Sequence, residues 1–184
     1  MSPTDLPRST YRLQLSAEFT LEQTAALTDY VRLLGADWLY LSPLLQATRD
    51  SSHGYDVTDH GHIDEQRGGP AGLERAAAAA RAHDMGVLID TVPNHMGVAD
   101  PRQNGWWWQL LRDGRAGRMA EAFDVDWAFG HGRLRIPVLG KELSQVVADR
   151  QVVLGDDGIS VYGTEYPLAD GTADDVADRR AAGD

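Results

Sequence analysis

Three short apolar runs alternate with two amphipathic stretches in the first half of the chain, and that alternation limits the fold more than any other feature. Thr10-Tyr11-Arg12-Leu13-Gln14-Leu15 alternates with the period of a strand. Thr20-Leu21-Glu22-Gln23 has capping-box spacing, with Thr20 as N-cap and Gln23 at the third helical position. The helix predicted to follow places Leu27, Tyr30, Val31 and Leu34 on one face and ends at Gly35. Trp38-Leu39-Tyr40-Leu41 reads as a second strand, stopped by Ser42-Pro43. Gly69-Pro70 opens a second helix that runs through Leu73 and Ala76 to Met85, and Gly86 closes it. Val87-Leu88-Ile89 is then a third strand, apolar on both faces as a buried parallel strand should be. A βαβαβ order implies parallel pairing and right-handed crossovers.

Two α/β architectures meet that description. A dinucleotide-binding fold needs a glycine-rich turn after the first strand, and Leu15-Ser16-Ala17-Glu18 offers nothing to cradle a pyrophosphate. A (β/α)8 barrel is therefore preferred, with polar residues collecting at the carboxyl ends of its strands. Asp90-Thr91-Val92-Pro93-Asn94-His95 follows the third strand in that position. A carboxylate there costs several kcal/mol, of the order of 1–5, unless it is paired or hydrogen-bonded. Asp90 thus needs a partner or a task.

The formal net charge of −11 argues against nucleic acid or an anionic membrane surface as partner and leaves a neutral ligand such as a sugar open. Without cysteine there is neither a disulfide framework nor a thiolate metal site. The N-terminus shows no basic segment leading into an apolar run, and no stretch approaches the roughly 20 apolar residues of a membrane span. A cytoplasmic protein is expected.

Between the second strand and the second helix, Leu44 to Gly69 is long for a connection of this type. It carries Ser52-His53-Gly54-Tyr55-Asp56-Val57 and then His60-Gly61-His62 among Asp56, Asp59 and Asp64. That His/Asp group could be a metal site, but a polar connection is the preferred reading. After His95 the alternation stops. Trp106-Trp107-Trp108 with Leu110 and Leu111 predicts a short amphipathic helix, with the tryptophans packed in a local core. Arg112, Arg115 and Arg118 follow at helical spacing. Arg133 to Leu139 is expected to be a strand with an edge-type proline, and Val152–Leu154 with Ile159–Tyr162 a hairpin. We therefore expect the fold to be α/β: the first part of a (β/α)8 TIM barrel, about three βα units over residues 1–98. A small, mainly β subdomain would be inserted after the third strand, at 99–168. Residues 169–184 are expected to form a mobile tail. Such barrels need about 250 residues, so the chain is expected to be truncated.

Asp90-x-Val92-x-Asn94-His95 at the end of a third strand, with a subdomain next, resembles the first motif of the α-amylase superfamily, glycoside hydrolase family 13. Pro93 and Met96 sharpen the likeness toward the maltooligosyltrehalose-forming branch. Thr10–Leu15, Leu39-Tyr40-Leu41-Ser42-Pro43, Ser52–Val57, Trp106–Trp108 and Arg135–Gly140 are similar to that branch too. The resemblance extends from about Thr10 to Thr172, as the N-terminal portion of such an enzyme.

The resemblance implies roles. His95 would donate to the sugar in subsite −1, and Tyr55, in His53-Gly54-Tyr55-Asp56, would stack on that sugar. His53 and Asp56 would be its neighbours in the same substrate-binding loop. Asp90 would pair an arginine on a later strand beyond this chain, and Asn94 would shape the loop. In some α-amylases that asparagine ligates calcium, but no oxygen cage accompanies it here, so no metal or cofactor is expected. The implied reaction converts the terminal α-1,4 linkage of a maltooligosaccharide, derived from starch or glycogen, to an α,α-1,1 linkage. It would be a glucosyl-transferring isomerisation of trehalose biosynthesis, through a retaining two-carboxylate mechanism. No Asp or Glu stands in a matching catalytic motif, so the nucleophile and the acid/base are expected beyond residue 184 and the chain alone is expected to be inactive. The alternatives are another hydrolase or 4-α-glucanotransferase of the superfamily, a non-catalytic glucan-binding fragment, or a His/Asp metal hydrolase.

Overall fold

A computed structural model describes residues 6–155, 158–172 and 174. The chain divides into two compact units, Met1–Gly97 and Val98–Asp184. Among the described residues no helix is long and apolar enough to cross a membrane.

The first unit is built on a parallel sheet of three strands, β1 (Thr10–Leu13), β2 (Trp38–Leu41) and β5 (Gly86–Ile89), in the order β1-β2-β5. The register pairs Leu13 with Leu41 and Leu41 with Ile89, so the three strands end together. Helices α1 (Leu21–Leu33) and α2 (Gly69–Ala82) make the crossovers and pack on each other. Their approach is close: a Cβ on Gly72 would lie 3.0 Å from the Cβ of Leu21. The core joins Leu13, Leu15, Leu39 and Leu41 from the sheet region to Leu21, Val31, Ala76 and Ala80 from the helices.

The capping box at α1 forms as expected, with the Thr20 amide donating to Gln23 Oε1 at 2.9 Å and the Glu22 amide to Thr20 Oγ1 at 3.2 Å. The buried stripe of α1 differs from expectation. It runs Leu21, Thr24, Thr28, Val31, while Tyr30 and Leu34 are exposed. Each threonine is admitted to the interior because its hydroxyl donates to the carbonyl four residues back, Thr28 to Thr24 at 2.9 Å and Thr24 to Thr20 at 3.2 Å. The third strand also departs from the expected burial: Leu88 is 40% and Ile89 38% exposed. Among the described residues β5 pairs only with β2, so no second neighbour shields its outer side.

The connection from Leu44 to Gly69 is not irregular. It forms an antiparallel pair, β3 (Leu45–Ala47) and β4 (Val57–Ile63), with two register shifts. Beneath it Arg67 and Asp64 make a buried ion pair, their side chains 1% and 5% exposed. Arg67 Nη2 also donates to the Ser51 carbonyl at 2.7 Å, and Asp64 accepts from the Gln66 amide at 2.9 Å.

In the second unit α3 (Gly105–Asp113) is the predicted tryptophan helix, capped by buried Asn104, which accepts from the Trp106 and Trp107 amides at 3.1 and 3.0 Å. Trp107 packs on Phe123 with ring centres 5.5 Å apart, and Arg102 lies over Trp108 at 4.7 Å. The arginines do not share a helix face, because α3 ends at Asp113. Arg112 pairs with Asp113, and Arg115 and Arg118 fall in separate 3-10 turns. Arg133–Leu139 is not a strand; Pro137 has no N–H to give, and the amide of Val138 turns back to Ile136 at 2.9 Å. After the short helix α4 (Leu143–Ala148), the hairpin of β6 (Val152–Leu154) and β7 (Gly158–Val161) is present. A third strand, β8 (Thr164–Pro167), extends it through a two-residue turn with positive φ at both Tyr162 and Gly163. The Asp156-Asp157 turn of the hairpin and most of the expected tail lie outside the described residues.

The Arg67–Asp64 pair gives the stability prediction. Arg67→Ala leaves a buried carboxylate uncompensated and should lower unfolding free energy by about 3–5 kcal/mol in a denaturant titration. The joint replacement Arg67→Met with Asp64→Leu should recover most of that loss.

Candidate functional site

Because β1, β2 and β5 end in register, the residues at their carboxyl ends meet. Asp90 follows β5 directly and its amide donates to the Leu41 carbonyl at 2.9 Å, which extends the ladder by one residue. Its carboxylate is 18% exposed and is surrounded by donors. Tyr55 donates its phenol proton to Asp90 Oδ2 at 2.5 Å, Tyr40 from β2 does so at 3.3 Å, and Arg12 Nη2 from β1 lies 3.8 Å from the same oxygen. Arg12 in turn donates to the Tyr55 hydroxyl at 3.0 Å, and its guanidinium lies over the Tyr40 ring at 5.4 Å. Donors to this carboxylate are thus present among the described residues. Arg12, Tyr40 and Tyr55 meet the electrostatic need of Asp90.

Tyr55 is 36% exposed and sits in a loop whose sharp bend depends on Gly54. Gly54 has φ +80°, and a Cβ there would come within 2.9 Å of the Pro43 carbonyl oxygen and 3.3 Å of Arg67 Nη2. The ring of His53 stacks beside Tyr55 at 6.0 Å, and His53 Nδ1 accepts the Tyr55 amide at 3.0 Å. That bond leaves the hydrogen of a neutral His53 on Nε2. Asp56 is turned inward: Ser51 donates its hydroxyl to Oδ1, and the Asp56 carbonyl accepts the Thr48 amide at 3.0 Å.

His95 reaches the same loop from the other side. Its Nε2 faces the Tyr55 carbonyl oxygen at 3.0 Å and its Nδ1 faces Asn94 Oδ1 at 3.1 Å. Both partners are oxygens that only accept, so a neutral ring can donate to one of them and an imidazolium to both. Both ring nitrogens face protein oxygens, so a ligand hydroxyl would have to displace one of these contacts. Gly97 closes the segment by donating to the Val57 carbonyl at 2.7 Å. The structure thus places Tyr55, Asp90, Asn94 and His95 in one cluster, with His53 and Asp56 in the adjoining loop. His60 braces the segment after β5 through Nε2 and the Val92 carbonyl at 2.9 Å, while His62 pairs with Asp59 at 2.7 Å.

Two members of the cluster, Arg12 and Tyr40, were not singled out from the sequence. A signal was available: Arg12 and Gln14 alternate with buried Leu13 and Leu15, whereas a strand covered on both faces should be apolar throughout.

The bond to Asp90 holds the phenol of Tyr55 above its usual range, with burial adding to the effect and Arg12 opposing it. Asp90 Oδ2 accepts from two phenols and lies near a guanidinium.

The pattern of the α-amylase catalytic domain matches residues 22–129, more than half of the chain. The chain belongs to the α-amylase family. Within that family it is 43% identical, over 90% of its length, to a protein described as a putative maltooligosyl trehalose synthase from Mycobacterium tuberculosis H37Rv. The solved maltooligosyltrehalose synthase of Arthrobacter ramosus superposes on 94% of the chain with a TM-score of 0.85 and 49% identity. A hypothetical maltooligosyl trehalose synthase of Sulfolobus tokodaii covers 94% with a TM-score of 0.75 and 31% identity. The chain spans only 22% of the first relative and 23% of each of these structures. Membership of the α-amylase family agrees with the partial barrel expected from the strand–helix alternation, and with the motif at Asp90 to His95.

The electrostatics of Tyr55 can be tested directly. Its phenol should ionise above the ordinary tyrosine range, read at 295 nm as the difference from Tyr55→Phe. In Asp90→Asn the carboxylate charge that disfavours the phenolate is gone, so the ionisation should move to lower pH.

Proposed function

We propose that this chain contributes one wall of the glucose-binding subsite of an enzyme that forms maltooligosyltrehalose. The observation that carries the proposal is a coincidence of two kinds. The residues of the motif converge at the carboxyl end of the parallel sheet, and the likeness to trehalose-forming members of the family runs over nine tenths of the chain. Tyr55, about one third exposed, offers the apolar face of its ring to the C–H groups of a pyranose. His95, seated against the Tyr55 carbonyl, stands where an imidazole can exchange that bond for a sugar hydroxyl. His53 and Asp56 border the same loop, while Asp90 and Asn94 hold Tyr55 and His95 in place.

The substrate in this reading is a maltooligosaccharide or another α-1,4-glucan, and the reaction is isomerisation of its terminal linkage to α,α-1,1. Nucleic acid and membrane have no part in it. Retaining chemistry requires two carboxyl groups roughly 5 Å apart across the bond. Asp90 and Asp56 are both bound to neighbouring side chains, so neither is assigned as nucleophile or acid. Those two groups belong, in this reading, to the part of the enzyme that the 184 residues do not include, and the compartment in which it works is the cytoplasm.

Two incubations test this. The purified chain with maltopentaose should yield no trehalose-ended product and no new reducing ends. A polypeptide as long as the relatives and containing this chain should lower the reducing-end count as the 1,1 linkage forms. A rise in reducing ends from the longer polypeptide would mean hydrolysis and would refute the isomerase reading; turnover by the 184 residues alone would refute the division of labour.

A further inference from the structure

We propose that Gln14 and Arg12, at the end of β1, are positioning residues that fix the ring of Tyr55 by gripping its loop at two points. The inference rests on the reading of Tyr55 as a sugar-binding surface, but its structural half can be tested apart from it.

Tyr55 lies on a loop, and a loop ring needs an external reference to hold one orientation. The sheet supplies that reference, since Arg12 is fixed opposite Tyr40 in the parallel ladder. From just beyond this strand, Gln14 Nε2 donates to the carbonyls of Ser52 and His53, each at 3.2 Å, with a longer contact of 3.4 Å to its own neighbour Leu15. These two carbonyls immediately precede the Gly54-Tyr55 bend. On its other side Gln14 Oε1 accepts from Arg12 Nη1 at 2.9 Å, and Arg12 Nη2 donates to the Tyr55 hydroxyl at 3.0 Å. A continuous relay thus runs from the loop backbone through Gln14 and Arg12 to the phenol, which then donates to Asp90 at 2.5 Å. The Tyr55 hydroxyl and the backbone just before it are thus held from β1 and the residue that follows it.

The chemistry of each position is specific. Gln14 must donate to two carbonyls and accept from a guanidinium at once, and a primary amide does this without charge. Glutamate at position 14 would set a carboxylate against two carbonyl oxygens. Arg12 gives hydrogens from two separate Nη groups to Gln14 and Tyr55 while its guanidinium stays over the Tyr40 ring, a spread that one ammonium nitrogen does not offer. From the opposite side Arg67 holds the Ser51 carbonyl, so the loop is braced from the core as well as from the sheet end.

The Gly54 amide donates to Ser51 Oγ at 3.1 Å and the Tyr55 amide to His53 Nδ1 at 3.0 Å, so exchange of these two hydrogens reports the order of the loop. The test uses the 184-residue chain with Gln14→Met, Gln14→Glu and Arg12→Gln. Exchange is followed residue by residue, and binding of maltopentaose by calorimetry. In Gln14→Met, exchange at Gly54 and Tyr55 should rise at least about tenfold while the amides of α1 stay unchanged. Affinity should fall about tenfold, the scale of losing two ordinary hydrogen bonds. Gln14→Glu should be at least as damaging. Arg12→Gln should move the ionisation of Tyr55, read against a Tyr55→Phe background, to higher pH, because the cation that opposes Asp90 is gone. Unchanged exchange with lost affinity would mean that Gln14 touches sugar directly and would overturn the positioning role. Unchanged exchange with intact affinity, or a Tyr55 ionisation indifferent to Arg12, would overturn it as well. Raised exchange in a chain that binds no maltopentaose would sustain the grip and refute the sugar-binding reading alone.

Discussion

A carboxylate at the end of an apolar strand must be matched by donors, and the rest of the candidate site is arranged around that need. Asp90 is the residue at which the ladder of β5 stops being purely structural. Its oxygen draws two phenols and a guanidinium from three separate segments, β1, β2 and the Tyr55 loop. Hydrogen bonds to a charged acceptor are shorter and stronger than neutral ones. A single ionised group therefore organises a loop that has little apolar burial of its own. The same choice explains why Tyr55 is both exposed and ordered: its hydroxyl is bound while its ring remains on the surface.

A second charge works from beneath. The Arg67–Asp64 pair is almost wholly enclosed and reaches the loop through the Ser51 carbonyl. Gly54 permits the chain to pass between Pro43 and Arg67, where any side chain would collide. Seen together, the loop is a bridge pinned by a buried ion pair on one side and by the sheet end on the other. His60 plays a similar bracing part for the segment after β5 by holding the Val92 carbonyl.

Much of this was legible in the sequence, and the parts that were not have physical reasons. The strand–helix alternation, the capping box at Thr20 and the motif at Asp90 to His95 depend on local pattern, and local pattern is what a sequence displays. The buried stripe of α1 was misjudged because Thr24 and Thr28 count as polar, although a hydroxyl that returns to the preceding turn is acceptable inside. Strands β3 and β4 were read as a connection because their register shifts and the His60-Gly61-His62 run break the alternation that marks a strand. The Arg12 and Gln14 relay was invisible for a different reason. It joins residues about forty positions apart, a distance that no local pattern displays. The expected Arg133–Leu139 strand failed because alternation alone cannot supply a pairing partner.

The central claim is that the sheet end, with Tyr55 and His95, is a surface for glucose. Nuclear Overhauser contacts between isotope-labelled protein and unlabelled maltopentaose test it most directly. The account predicts contacts from sugar C–H protons to the Tyr55 ring and the His95 imidazole. Contacts confined to the aromatic residues of the second unit, such as Trp106, or none at the sheet end, would contradict it.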